Sequence, residues 1–135
     1  MYNPKAIKNV VVDGHSLTLE SFVAVARYGA TVELAPAALE AMKKSRALAE
    51  KIASEGRVAY GITTGFGDFQ RVAVSKEMSN TLSTNLIISH CTAMGEPYAP
   101  EVARGRLLLR ANALCVGVSG VRPLLVEMLL AIFHV

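Results

Sequence analysis

Three prolines, Pro36, Pro100 and Pro123, each head a long proline-free run rich in helix-forming residues. In the first turn of a helix a proline sacrifices an N–H that has no intrahelical partner, and its fixed φ already suits the helix. The three positions therefore read as helix starts, and the chain is predicted to be mainly α. From Pro36 the helix runs to about Ser54, and Gly56 stops it. Leu39, Met42, Ala49 and Ile52 give it apolar contacts, while Glu40, Lys43, Lys44, Arg46, Glu50 and Lys51 face water. From Pro100 the next helix is apolar on nearly every face between Leu107 and Val118, apart from Arg110 and Asn112. That pattern predicts burial on several sides, with Arg110 held by a carboxylate or carbonyl partner. Ser119 to Arg122 breaks the run. The last helix, Leu124 to Val135, ends with its apolar surface uncovered, as expected of a chain cut from a longer one.

The remaining punctuation marks smaller elements. Val10-Val11-Val12, Asp13-Gly14 and His15-Ser16-Leu17 read as a short β-hairpin with a two-residue turn, leaving His15 as a solvated side chain. Thr18 is placed to cap a helix that reaches Tyr28, with Phe22, Val25 and Ala26 on one face and Gly29 at its end. Thr31 to Leu34 is a short extended piece that could join the hairpin. Ser75 can cap a further helix to roughly Ala93, along which Leu82, Leu86 and Ser89 share a face and His90 stands one step round. Asn85, Ser89 and His90 put polar groups beside Leu86, Ile87 and Ile88, so they form either a hydrogen-bonded core network or a binding surface.

At 135 residues, with 52% hydrophobic and 19% charged residues, the chain can bury a core but is apolar for an independent monomer. Its net charge of +3 is spread along the sequence, which gives nucleic-acid binding little support. Arg110, Asn112, Gly117, Gly120, Arg122, Pro123 and Glu127 interrupt the greasiest region, which makes no membrane span. Cys91 and Cys115 lie in apolar company without metal-site spacing; with no signal peptide visible, they read as reduced, buried thiols of a cytoplasmic protein.

One stretch fits neither helix nor strand: Tyr60-Gly61-Ile62-Thr63-Thr64-Gly65-Phe66-Gly67. Three glycines in eight residues raise the entropy lost on folding, and paired threonines beside them offer hydroxyls to a tight turn. This is a surface loop capped by an aromatic, or a functional loop with a phenol at its entrance. The sequence carries no dinucleotide fingerprint, P-loop, nucleophile elbow, zinc-ligand spacing or paired carboxylates. What remains is the phenol on its glycine loop and the Ser89–His90 pair.

Read in order, Tyr60 to Gly67, Asn85-Leu-Ile-Ile-Ser-His90, Gly95-Glu-Pro97, Leu109-Arg-Ala-Asn112 and Gly117-Val-Ser-Gly-Val-Arg122 resemble the amino-terminal part of the aromatic amino acid ammonia-lyases, and most closely their histidine-specific members. The resemblance runs from about Leu17 to the last residue. It implies a mainly α amino-terminal domain of the L-aspartase-like fold with a small β-hairpin, spanning 1–135, with an active-site loop over 60–70 and the start of a truncated central helical bundle at about 121–135. By the same resemblance Tyr60 is the catalytic base for the β-proton, a role open to a phenol where positive potential or hydrogen bonds favour its phenolate. Thr63, Thr64, Gly65 and Gly67 belong to the active-site loop, and Ser89 and His90 contact the substrate side chain. A polar pair suits an imidazole, which offers a donor and an acceptor. Thr63, however, is shared with the phenylalanine-specific members.

The family's electrophile is a methylidene-imidazolone made when an internal Ala-Ser-Gly cyclises and loses water. No cofactor or metal is expected in this chain itself, because the cyclising tripeptide is expected shortly after Val135. The implied reaction is conversion of L-histidine to trans-urocanate and ammonia in a homotetramer, the chain alone being inactive. The partners expected are an amino acid substrate and further copies of the chain, with no nucleic acid and no membrane. Two other readings stand beside this one: a stand-alone non-catalytic interaction protein, and a fragment of a phenylalanine or tyrosine lyase or aminomutase.

Overall fold

The structure, a computed structural model, describes residues 2–65, 67–69, 71–72, 74 and 76–134. The chain divides into two compact units, one made of residues 1–47 and 98–135 and the other of residues 48–97.

In the first unit the expected hairpin does not form. Strand β1 (Asn9–Val12) instead pairs in parallel with β2 (Thr31–Leu34), in the register Asn9↔Thr31 to Val12↔Leu34, and helix α1 (Leu19–Tyr28) is the crossover between them. The reason lies in Asp13. Its carboxylate accepts the N–H groups of His15 and Ser16, both at 2.8 Å, so the donors a returning strand would need are taken up in a turn that leads into a helix. Parallel strands cannot be joined tightly, and α1 fills the connection. The extended reading of Thr31 to Leu34 holds, as does the exposure of His15.

Thr18 caps α1 as its sequence predicts. The Ser21 N–H donates to Thr18 Oγ1 at 3.1 Å, and the Thr18 N–H donates back to Ser21 Oγ at 3.0 Å, so two otherwise orphaned donors are satisfied. Gly29 ends the helix. Val10 and Val12 point inward from β1 and meet Val25 of α1, Val32 of β2 and Met42 of helix α2 (Pro36–Ser54) in one core. Helices α4 (Pro100–Cys115) and α5 (Pro123–Ala131) close that core with Leu108, Ala111, Cys115, Val126 and Leu130. Gly105 lets α4 approach α1 closely, since a Cβ there would stand 2.7 Å from Cζ of Phe22.

The segment after α4 is tied to α2 at one peptide. The Gly120 N–H donates to Ser45 Oγ at 2.8 Å, and Arg46 Nη1 donates to the Gly120 carbonyl at 3.4 Å. All three proline-headed helices are present and start at their prolines, but α4 ends at Cys115 and α5 at Ala131, short of the expected Val118 and Val135, with a 3-10 turn over Ile132–His134. Burial around α4 differs from expectation. Gly105, Leu108, Ala111, Leu114 and Cys115 recur at helical spacing on one buried face, but Leu109 and Arg110 lie on an exposed one. Solvent therefore reaches Arg110, and the buried partner expected for it is not required. On α5, Val126 and Leu130 face inward while Leu124, Leu125 and Met128 are exposed, the uncovered apolar surface that the sequence predicts.

The second unit comprises the end of α2, the glycine-rich loop and α3 (Lys76–His90). α3 stops at His90 rather than near Ala93, and its expected cap, Ser75, falls outside the described residues. Leu82 and Leu86 are half-buried, but Ile87 and Ile88 are 65% and 63% exposed. Cys91 follows the helix end and is exposed, which corrects the expectation of two buried thiols; Cys115 is buried as expected. No helix among the described residues is long and apolar enough to cross a membrane.

Candidate functional site

The glycine-rich loop is held by its two threonines. The Ala59 carbonyl accepts the N–H groups of Ile62 and Thr63, both at 3.0 Å, which closes a turn that starts at Tyr60. Thr63 Oγ1 donates to the Arg57 carbonyl at 2.6 Å and accepts the Ala59 N–H at 2.9 Å. Thr64 Oγ1 accepts the Gly61 N–H at 3.4 Å and donates to the Gly65 carbonyl at 3.0 Å. Gly61 takes a positive φ of 73°, a backbone conformation open to glycine at little cost. Thr64 is buried, and both threonine hydroxyls serve the backbone.

The loop is then pinned to Val72 and Val74, which follow it. The Gly65 N–H donates to the Val72 carbonyl at 3.1 Å, and the Val74 N–H donates to the Thr63 carbonyl at 3.0 Å. Sequence reasoning placed the threonines on the loop but missed these backbone partners. The only sign of them was the pair of β-branched residues Val72 and Val74, too short a run to read as a strand. Gly67 opens a single 3-10 turn, Gly67–Phe69, while Phe66 and Gln70 lie outside the described residues. This arrangement leaves Tyr60 65% exposed at the head of a hydrogen-bonded turn.

The second cluster sits at the end of α3. Ser89 Oγ lies 2.9 Å from the Leu86 carbonyl and donates to it. Nδ1 of His90 lies 2.9 Å from the same carbonyl and 3.0 Å from Ser89 Oγ. Asn85, Ser89 and His90 are all exposed, which rules out a core network within this chain and leaves the surface alternative. The structure thus joins Ser89 to His90 directly, and joins Thr63, Thr64, Gly61 and Gly65 around Tyr60. Both groups lie in the second unit, on different elements. Among the described residues, no group of three or more His, Cys, Asp or Glu side chains is arranged to hold a metal ion.

Residues 17–134 match the family model of the aromatic amino acid lyases. The chain belongs to the aromatic amino acid lyase family. Both clusters lie inside the matched region. Among curated members, a histidine ammonia-lyase of Alkaliphilus metalliredigens is 48% identical over 124 residues, which cover 92% of this chain and 24% of that protein. Among solved structures, the tyrosine aminomutase of Streptomyces globisporus superposes with a TM-score of 0.87 at 36% identity, covering 93% of this chain and 24% of its own. The histidine ammonia-lyase of Trypanosoma cruzi does so with a TM-score of 0.83 at 38% identity and the same coverage. The chain therefore spans about a quarter of the length of the lyase-family relatives it matches. Its fold, mainly α with a small two-stranded sheet, is the one these relatives share over that portion.

Proposed function

We propose that this chain is part of a histidine ammonia-lyase-like enzyme, which converts L-histidine to trans-urocanate and ammonia. The observation that carries this reading is the hydrogen-bonded Ser89–His90 pair, a polar and accessible group at the position the family resemblance gives to side-chain recognition. An imidazole needs both a donor and an acceptor from its site, and an apolar pair would satisfy neither. The 48% identity to a histidine ammonia-lyase supports the same substrate class.

In this reading Tyr60 is the base that takes the β-proton of the bound amino acid. The turn closed by Thr63 and Thr64 holds the phenol, and Gly65 and Gly67 give the loop its shape. The lyase electrophile, a methylidene-imidazolone, would supply the leverage on the amino group. The residues present do not fit it. Residues 1–135 contain no Ala-Ser-Gly; in Val118-Ser119-Gly120 valine replaces alanine, and the glycine N–H is already donated to Ser45 Oγ at 2.8 Å. We therefore assign the chain no turnover by itself. In a complete enzyme it would work as a cytoplasmic homotetramer.

The test is ammonia and urocanate release from L-histidine by the natural full-length protein and its Tyr60→Phe variant. Loss of a positioned general base lowers kcat by roughly 10²- to 10⁴-fold. Unchanged urocanate formation by the variant would remove Tyr60 from the mechanism. A second reading, a tyrosine aminomutase, is favoured by the superposition on the Streptomyces enzyme, whose TM-score of 0.87 exceeds the 0.83 of the Trypanosoma lyase. Formation of a β-amino acid from tyrosine, with no urocanate from histidine, would select it.

A further inference from the structure

We infer that the outer faces of α4 and α5 form one self-complementary surface that takes a second copy of this chain. In that contact α4 of each copy lies on α5 of the other, with Arg106 and Arg110 opposite Glu127.

The two-stranded sheet is covered on one side only. Val10, Val12 and Val32 are buried, while Asn9, Val11, Thr31 and Glu33, which alternate with them, are exposed. On the covered side α4 touches β1, α5 touches β2, and the two helices pack against each other. They therefore lie in one layer, and the faces turned away from the sheet look the same way. On α4 that face carries Val102, Arg106 and Leu109, spaced four and three apart, with Arg110 beside them. On α5 it carries Leu124, Glu127 and Met128. All of these side chains are exposed, whereas Leu108, Ala111, Val126 and Leu130 on the opposite faces are buried.

Charge and area both point to a copy of the chain as the occupant. The α4 face is basic and the α5 face acidic, and among the described residues Arg106, Arg110 and Glu127 join no ion pair. The carboxylate at the start of α4, Glu101, is already engaged by Arg27 at 3.5 Å. Arg106 is held over the Tyr98 ring, 5.6 Å from its centroid, which fixes its guanidinium at the surface. A two-fold axis sets the basic stripe of each copy on the acidic one of the other, so a single contact is made twice, as an isologous dimer requires. With Leu125 and Ile132, also exposed, the apolar side chains present roughly 600 Å², as large as the biggest patch on a typical monomer. The charged side chains bring the surface close to the roughly 800 Å² that each partner buries in a stable interface.

The test is sedimentation velocity of the 135-residue chain over a series of concentrations. Beside it run the double variant Arg106→Glu with Arg110→Glu, the variant Glu127→Arg, and an equal mixture of the two. All three positions are exposed, so the fold should survive, and circular dichroism checks that it does. The unaltered chain should form a dimer. Each variant alone should raise its dissociation constant about tenfold or more, because like charges then meet at both repeats of the contact. In the mixture every glutamate faces an arginine again, and a heterodimer of the two variants should form where neither associates by itself. A chain that stays monomeric at every concentration overturns the inference. So does a dimer that either variant leaves unchanged, or a mixture that associates no better than its components.

Discussion

The side-chain oxygen of Asn112, in the last turn of α4, accepts the backbone N–H of Gly14 at 3.0 Å, across 98 positions of sequence. This bond holds the turn after β1 against the helix that covers the core. Both partners are partly buried, so removing the acceptor leaves a donor with little access to water. Asn112→Ala should lower the unfolding free energy by about 1–3 kcal/mol. Urea denaturation of the two chains side by side measures it, and an unchanged midpoint would mean that water takes over the bond.

Gly117 takes a φ of 79°, and a Cβ there would stand 2.6 Å from the Ala41 Cβ and 2.9 Å from the Ala41 carbonyl carbon. Strain in the backbone and a clash with main chain act together, and neither is relieved by turning a side chain. Gly117→Ala should therefore destabilise by about 2–4 kcal/mol, more than the roughly 1 kcal/mol of an unfavourable conformation alone. The comparison is with Gly29→Ala, where φ is 68° and no atom lies within 4 Å of the added methyl. Equal losses in thermal unfolding would mean that α2 yields to the methyl without strain.

The carboxyl of Asp13 is lowered from the usual 3.8 to about 2, chiefly because it accepts the backbone N–H groups of Ser16 and His15. A carboxyl more acidic in the folded state than in the unfolded one stabilises fully above its unfolded pKa, and its contribution is lost as pH falls toward the folded value. The gap in melting temperature between the unaltered chain and Asp13→Ala should thus be constant near neutrality and shrink between about pH 4 and pH 2. A gap that persists undiminished at the acid end would mean that the charge of Asp13 contributes nothing to the turn.

Burial, with a smaller contribution from the nearby Asp13 charge, pushes the Cys115 thiol up to about 11, while Cys91 is exposed. The two thiols should separate cleanly under a thiol-specific reagent. At neutral pH one equivalent should react quickly, at Cys91, and the second only on unfolding. Peptide mapping after timed alkylation reads this out, and modification of both cysteines at one rate would contradict the packing around Cys115.

The helices were the most legible part of the sequence. Pro36, Pro100 and Pro123 act through their own covalent geometry, a local signal, and the Thr18 cap is equally local. The sheet was misread because Asp13-Gly14 has hairpin composition, and the decision between hairpin and crossover rests on where the Asp13 carboxylate finds its donors. The exposure of Arg110 and Cys91 was missed for a related reason, since periodicity reports which residues are apolar and not how many faces the chain covers. At the candidate site, Tyr60, Ser89 and His90 were proposed from ordered family motifs. The staple from Thr63 to Arg57 and the ladder from Thr63 and Gly65 to Val72 and Val74 did not, because backbone partners leave no mark on residue type.

The first unit is assembled from two stretches, and the 50 residues numbered 48–97 lie between them in the chain. On a ribosome that adds roughly 5–20 residues per second, Val10, Val12 and Val25 wait several seconds or more before Leu108 and Ala111 are made. During that interval the strand pair, α1 and the first part of α2 stand without the surface that will cover them. Its apolar strand and helix faces are thus open to mispairing while the residues of the loop and α3 are emerging.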